Sequence, residues 1–178
     1  GGFQPAAARA AAQSMKDRFD IAVIGSGAAG IAAAVSAARA GCRTVLLDKN
    51  SAAGGTGGFS GLTTLCGLYD DAGNFLNGGF AREFAEALAE RGAPGTVLAS
   101  SVASFQRAKA VPGAPIKMGR VWVLPYRPET FRTVAEKILA AAPELRTRWN
   151  TSLTDVRVQD EQIVSLNGFE VGAVIDCR

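Results

Sequence analysis

The sequence predicts an α/β domain built around a parallel sheet, and three observations carry that expectation. A short, apolar, β-branched run, Ile21–Ile24, has the composition of a buried parallel strand. Gly25, Gly27 and Gly30 follow it at G-x-G-x-x-G spacing, and an alanine-rich stretch free of Gly and Pro, residues 31–40, reads as the next helix. A second strand is expected over Thr44–Leu47, ending in Asp48, so strand, glycine turn, helix and strand fit within about thirty residues.

Residues 1–14, GGFQPAAARAAAQS, precede the first methionine, Met15, and lack the continuous apolar core of a secretion signal. They read as an extension outside the fold, with a short amphipathic helix over AAARAAA as the alternative; residues 15–178 form the domain. Gly41 stops the first helix. Residues 51–61, SAAGGTGGFSG, hold five glycines in eleven positions, which predicts an irregular loop. Phe80, Phe84, Ala87 and Leu88 recur at helical spacing before Gly92, and a further helix is expected over Val97–Ala108. A Pro- and Gly-rich loop, residues 111–119, leads to a short strand over Arg120–Leu124. Pro128 opens a helix with Phe131, Val134, Ala135, Ile138 and Leu139 along one face. Strands are expected over Leu145–Trp149, Leu153–Val158, Gln162–Leu166 and Glu170–Asp176, with a hairpin around Asp160 and Glu161.

Composition narrows the function classes. At 178 residues, 48% apolar and 20% charged, the chain has the size and balance of one ordinary globular domain. A net charge of +3 from scattered basic residues argues against nucleic-acid and membrane-surface partners. Three cysteines without C-x-x-C spacing, and no histidine, argue against a zinc or other metal site. The odd cysteine count offers no disulfide framework, which makes a cytoplasmic setting the expectation. No run approaches the roughly 20 apolar residues of a membrane span.

Each glycine of the fingerprint has a physical task. Gly25 allows the tight turn, Gly27 lets a pyrophosphate approach the backbone, and Gly30 lets helix and strand pack closely. The free N–H groups and dipole of the helix start favour two phosphates. Asp48 stands where a carboxylate can accept hydrogen bonds from ribose hydroxyls. The fingerprint alone does not separate NAD from FAD.

The stretch after the second strand, DKNSAAGGTGGFSGLTTLCGLYD, resembles the corresponding segment of FAD-dependent oxidoreductases with the glutathione-reductase-type fold. In that family an acid–Lys pair precedes a Gly-Gly-Thr or Gly-Gly-Met turn and then Ser-Gly-Leu. The likeness extends to PYRPETFRTVAEKIL and to TSLTDVRVQDEQIVSLNGFEVGAVIDC, and so covers the chain from about Met15. It implies a Rossmann-like FAD-binding domain, a parallel sheet plus a β-meander, with residues 62–125 as an inserted, helical segment on the substrate side. It implies that Gly25, Ser26, Gly27, Ala28, Ala29 and Gly30 meet the pyrophosphate and that Asp48 and Lys49 lie at the adenosine. Gly54, Gly55 and Thr56 would follow the diphosphate–ribityl region, and Ser60, Gly61 and Leu62 the flavin. Leu153 matches a strand position whose backbone contacts adenine.

The family's pattern continues past the last strand into a second glycine turn, whereas Asp176, Cys177 and Arg178 close this sequence. The expectation is therefore the first portion of a larger flavoenzyme, completed by a second polypeptide or by further sequence. Its flavin would take a hydride from a small organic substrate. Without histidine, the commonest general base is missing. Cys66, just after the glycine-rich loop, is a weak catalytic candidate against a packing role. Tyr69, Asp70 and Asp71 read as a polar turn and Arg127 as a helix start, each with substrate contact as the alternative. Cys42 and Cys177 read as core residues, and Trp122 and Trp149, on strands, as core or interface residues. Two other readings stay open: an NAD(P)-binding Rossmann dehydrogenase or reductase, and a non-catalytic nucleotide-binding subunit of an assembly.

Overall fold

The computed structural model describes residues 18–76, 78–91 and 115–178. The expected extension over residues 1–14 and helix over Val97–Ala108 lie outside them. The chain divides into two compact units, one formed by residues up to Ser51 together with Ala142–Arg178, the other by Ala52–Ala141.

The first unit is a six-stranded mixed sheet with one helix against it. β1 (Arg18–Ile24), β2 (Thr44–Leu47), β6 (Leu145–Arg148) and β9 (Phe169–Asp176) are parallel neighbours, and β7 (Val156–Gln159) and β8 (Gln162–Leu166) extend the sheet antiparallel in the order β6-β2-β1-β9-β8-β7. Ile24 pairs with Leu47 and with Asp176, so β1 is flanked on both sides at the edge where its glycine turn begins. Helix α1 (Ala28–Arg39) buries Ile31, Ala34, Val35 and Ala38 and lies against β1 and β2. Ala22, Ile24, Val45 and Leu47 pack with Phe19, Leu166 and Val171, and Leu153, Ile163, Phe169 and Val174 border that cluster. Sheet alternation turns Val23 and Leu46, also fully buried, toward the opposite face.

Two tight turns set the register of the β7–β8–β9 meander. Asp160 and Glu161, with φ of 48° and 63°, join β7 to β8, as the sequence predicts. Asn167 and Gly168, with φ of 47° and 81°, join β8 to β9 as an Asn-Gly hairpin turn.

Strand β7 begins at Val156 rather than at the expected Leu153. The Asn167 side chain explains the difference. Its Oδ1 accepts from the backbone N–H of Thr154 (2.9 Å) and of Asp155 (3.1 Å), and its Nδ2 donates to Ser152 O (2.8 Å). A side chain replaces the neighbouring strand as the partner of this backbone. Trp149 likewise falls just beyond β6 and is half-buried.

The second unit holds helices α2 (Gly55–Phe59), α3 (Gly79–Arg91) and α4 (Pro128–Ala141) and a small antiparallel sheet of β3 (Thr64–Leu65), β5 (Val121–Pro125) and β4 (Ile116–Met118). Helix α4 buries the five apolar residues that its periodicity singles out. Phe131, among them, stacks against Phe84 and Tyr126 with ring centroids 4.9 and 5.4 Å apart.

Two expectations need correction here. Strand β4 lies within the stretch read as a Pro/Gly loop, because Gly119 (φ 61°) closes a hairpin that pairs Ile116–Met118 with Val121–Val123. Residues 55–59 are helical rather than irregular. Arg132 of α4 donates to Gly58 O and lays its guanidinium 5.3 Å from the Phe59 ring, while Gly57 lies against Phe131. Side chains on these glycines would occupy the space that α4 fills.

Candidate functional site

The glycine turn stands where β1 ends and α1 begins, and its three glycines are needed for different reasons. Gly25 adopts φ +96°, and a Cβ there would come within 2.9 Å of Cys177 O. Gly30 admits no side chain either, since its Cβ would stand 1.7 Å from Gly25 O. Gly27 differs from both. Its φ of −71° suits any residue, and nothing in the protein lies within 4 Å of where its Cβ would be. Neither conformation nor internal packing asks for glycine at that position.

The start of α1 is chemically ready for an anion. Gly27 is the N-cap, no side chain caps the helix, and its first turn carries no acid. The opening N–H groups of a helix have no intrahelical acceptor, and their partial positive charge favours phosphate. Ala28 and Ala29 are exposed, so their small side chains leave this end open.

Asp48 follows β2 and is only 7% exposed. Its Oδ2 accepts from Ser26 N and Ser26 Oγ, both at 2.6 Å. Its Oδ1 accepts from Asn50 N at 2.8 Å and Asn50 Nδ2 at 2.9 Å. Burial pushes this carboxyl's pKa up, but the hydrogen bonds from Ser26 and Asn50 outweigh burial and hold it below the ordinary carboxylate range. The sequence singled out Asp48 and Ser26; it did not show that they bond to each other, or that Asn50 joins them. Lys49, beside them, is exposed.

Leu153 lies in the first unit with its side chain against the Phe19–Leu166 cluster. In the second unit Gly54 and Gly55 open α2, Gly54 with φ +148°, and Thr56, Ser60, Gly61 and Leu62 are exposed. Cys66 is exposed after β3. Burial pushes the Tyr126 phenol up to about 12, so it stays protonated at neutral pH. Asp70 forms the expected polar turn, accepting from Ala72 N (2.9 Å) and from Asn74 N (2.7 Å). Arg127 is exposed, and its carbonyl accepts from Phe131 N at the start of α4. Trp122 is half-buried and donates from Nε1 to Asp71 O at 3.1 Å. Cys42 and Cys177 are half-buried, not core. No helix among the described residues is long and apolar enough to cross a membrane.

A dinucleotide fits the first unit's turn: an open Gly27, an uncapped helix start and an ionised carboxylate beside them. Comparison with known proteins identifies which dinucleotide. The sequence pattern of FAD dependent oxidoreductases matches residues 20–177. No curated protein matches the sequence.

Among solved structures, GidA of Aquifex aeolicus is 21% identical with a TM-score of 0.59, over 90% of this chain and 25% of GidA. THI4 of Thermovibrio ammonificans is 13% identical with a TM-score of 0.56, over 96% of this chain and 62% of THI4. Glycine oxidase from Geobacillus kaustophilus is 15% identical with a TM-score of 0.51, over 90% of this chain and 55% of the oxidase. These likenesses are likenesses of fold, and the chain spans about a quarter of the length of GidA. With the family pattern running from β1 to the end of β9, the chain belongs to the FAD dependent oxidoreductases, and its cofactor is FAD.

Proposed function

We propose that this chain is the FAD-binding portion of a flavin-dependent oxidoreductase acting on a small organic substrate. One observation carries the reading: Gly27, at the uncapped start of α1, is glycine although neither its φ nor any protein neighbour requires it. The N–H groups of Gly27, Ala28 and Ala29 would bind the pyrophosphate, Gly25 and Gly30 giving the turn its shape, and Asp48 and Lys49 would stand on the adenosine side. Gly54, Gly55, Thr56, Ser60, Gly61, Leu62 and Leu153 enter the proposal through sequence likeness alone. FAD, when bound, supplies the hydride acceptor. The proposal assigns no acid or base among the described residues, and Cys66 keeps no more than an exposed position near the glycine-rich loop. The substrate pocket is completed by protein beyond these 178 residues, on a second polypeptide or as further sequence, a reading supported by the part of each neighbour that the chain spans. A cytoplasmic setting is part of the same proposal, supported by three free cysteines.

The test is to purify the chain without added cofactor, record its visible spectrum, and titrate it with FAD. Flavin bands, or saturable uptake of FAD with quenched flavin fluorescence, are expected. A colourless chain that takes up no FAD would overturn the proposal. Bleaching of bound flavin by a substrate separates an oxidoreductase from a subunit that holds the nucleotide for structural reasons.

A further inference from the structure

Strand β7, at one end of the first unit's sheet, has a partner on one side. β8 lies along it, and among the described residues no strand pairs with its outer edge. All four of its residues are exposed. Val156 stands opposite Leu166 and Val158 opposite Ile163, so the face that carries the buried cluster runs out to this edge. Val156 is 45% exposed there and Val158 58%. The backbone is presented outward as well. Asp155 is turned toward the neighbouring chain, since its N–H donates to Asn167 Oδ1 and its carbonyl accepts from Asn167 N. Strand alternation then turns the N–H and C=O of Val156 and Val158 away from β8. Edge strands are usually blunted by lysine, proline or a bulge. Residues 154–159, TDVRVQ, hold neither lysine nor proline, and the register shift beside Arg157 gives its extra residue to β8.

We propose that a second copy of this chain adds to this edge, β7 antiparallel to β7, in a two-fold dimer centred on Val156. Three registers let the outward groups of Val156 and Val158 pair, and charge selects among them. With Val156 opposite Val158, Arg157 faces Arg157 of the second copy, like charges directly opposed. With Val158 opposite itself, Val156 meets Asp160, which belongs to the hairpin turn at φ 48°. With Val156 opposite itself, Asp155 of each copy meets Arg157 of the other, and two opposite-charge pairs flank two valines. Among the described residues neither the Asp155 carboxylate nor the Arg157 guanidinium has an ion-pair partner within the chain, so both are available. A two-fold contact makes every such pair twice. The strand is short and buries less than a standard interface, so the association is weak and concentration-dependent. Nothing in this pairing depends on the bound nucleotide.

The 178-residue chain is examined by sedimentation equilibrium from about 10 μM to about 1 mM, the range of weak specific association. Wild type should pass from monomer to dimer across it. Arg157→Glu and Asp155→Lys each place like charges opposite one another twice, and each should weaken the dimer about tenfold or more. Either one serves if the other does not fold, which circular dichroism checks. The double variant, Asp155→Lys with Arg157→Glu, exchanges the charges and should return to within about threefold of wild type. A wild-type chain that stays monomeric throughout would overturn the proposal. So would a dimer that the single reversals leave unchanged, because another face would then hold it. A double variant no tighter than the singles would overturn it too, since reciprocal pairing of Asp155 with Arg157 requires the rescue.

Discussion

Gly30 and Gly25, five residues apart, touch so closely that a methyl group on the first would lie 1.7 Å from the carbonyl oxygen of the second. The helix can start where it does only because Gly30 has no side chain. Gly27, between them, has no protein neighbour within 4 Å of its Cβ position. Gly30→Ala should therefore cost about 3 kcal/mol or more of stability, at or above the upper range for overpacking, because backbone must move. Gly27→Ala should change stability by less than about 1 kcal/mol. It should nonetheless weaken FAD binding more than about tenfold, since the methyl would occupy space the pyrophosphate needs. Thermal melts of the FAD-free chain, paired with FAD titrations, separate the two effects.

Asp48→Asn should destabilise the FAD-free chain by about 1–3 kcal/mol at neutral pH, because Ser26 and Asn50 lose a charged, buried acceptor. Chemical denaturation read by circular dichroism measures it.

The acid limb of stability follows from the same carboxylate. The folded pKa of Asp48 lies below its unfolded value of about 3.9, so its contribution is fully present above that value and is lost as pH falls through the folded pKa. Asp176, held at about 2 by bonds from Arg178, and Asp20 and Asp70, lowered by Arg43 and Asn74, act in the same direction, though all three are solvated and their share is small. Denaturation midpoints should be level from about pH 7 to pH 5 and fall below about pH 4. The fall should be shallower in Asp48→Asn.

Phe131 is fully buried between Phe84 and Tyr126 and lies against Gly57. Phe131→Ala should cost about 3–5 kcal/mol, and Phe131→Leu markedly less, since most of the volume is kept. Urea titration followed by near-ultraviolet circular dichroism tests both.

Arg43 meets Asp20 through its backbone N–H and both ends of its guanidinium, at 2.8, 3.2 and 2.9 Å, but on the surface. Asp20→Asn should lower the melting temperature only slightly, and high salt should shrink the difference.

Several elements were legible because their signals are local. Residues 128–141 alternate apolar and polar positions at helical spacing, and the helix buries the five residues so marked. Thr44–Leu47 is a β-branched threonine followed by three apolar residues, and all four are buried in a parallel strand. The misread elements depended on distant partners. Residues 153–155 read as the start of a strand, yet Asn167, more than ten positions away, accepts from the amides of Thr154 and Asp155. Gly55–Phe59 has poor helix propensity, yet Arg132 and Phe131 of another helix make a single turn hold there.

The same division runs through the candidate site. Glycine spacing, the apolar strands and the acid after β2 were enough to determine the α/β class and the strand, glycine turn and helix in their order, because each follows from backbone conformation or periodicity within a short window. Only the tertiary structure decided what those residues do for one another. Hydrogen-bond acceptors saturate, and the partners that fill them come from whichever loops the sheet brings together. Sequence order leaves Ser26 and Asp48 twenty-two positions apart; parallel pairing of β1 with β2 brings Ser26 within 2.6 Å of the carboxylate.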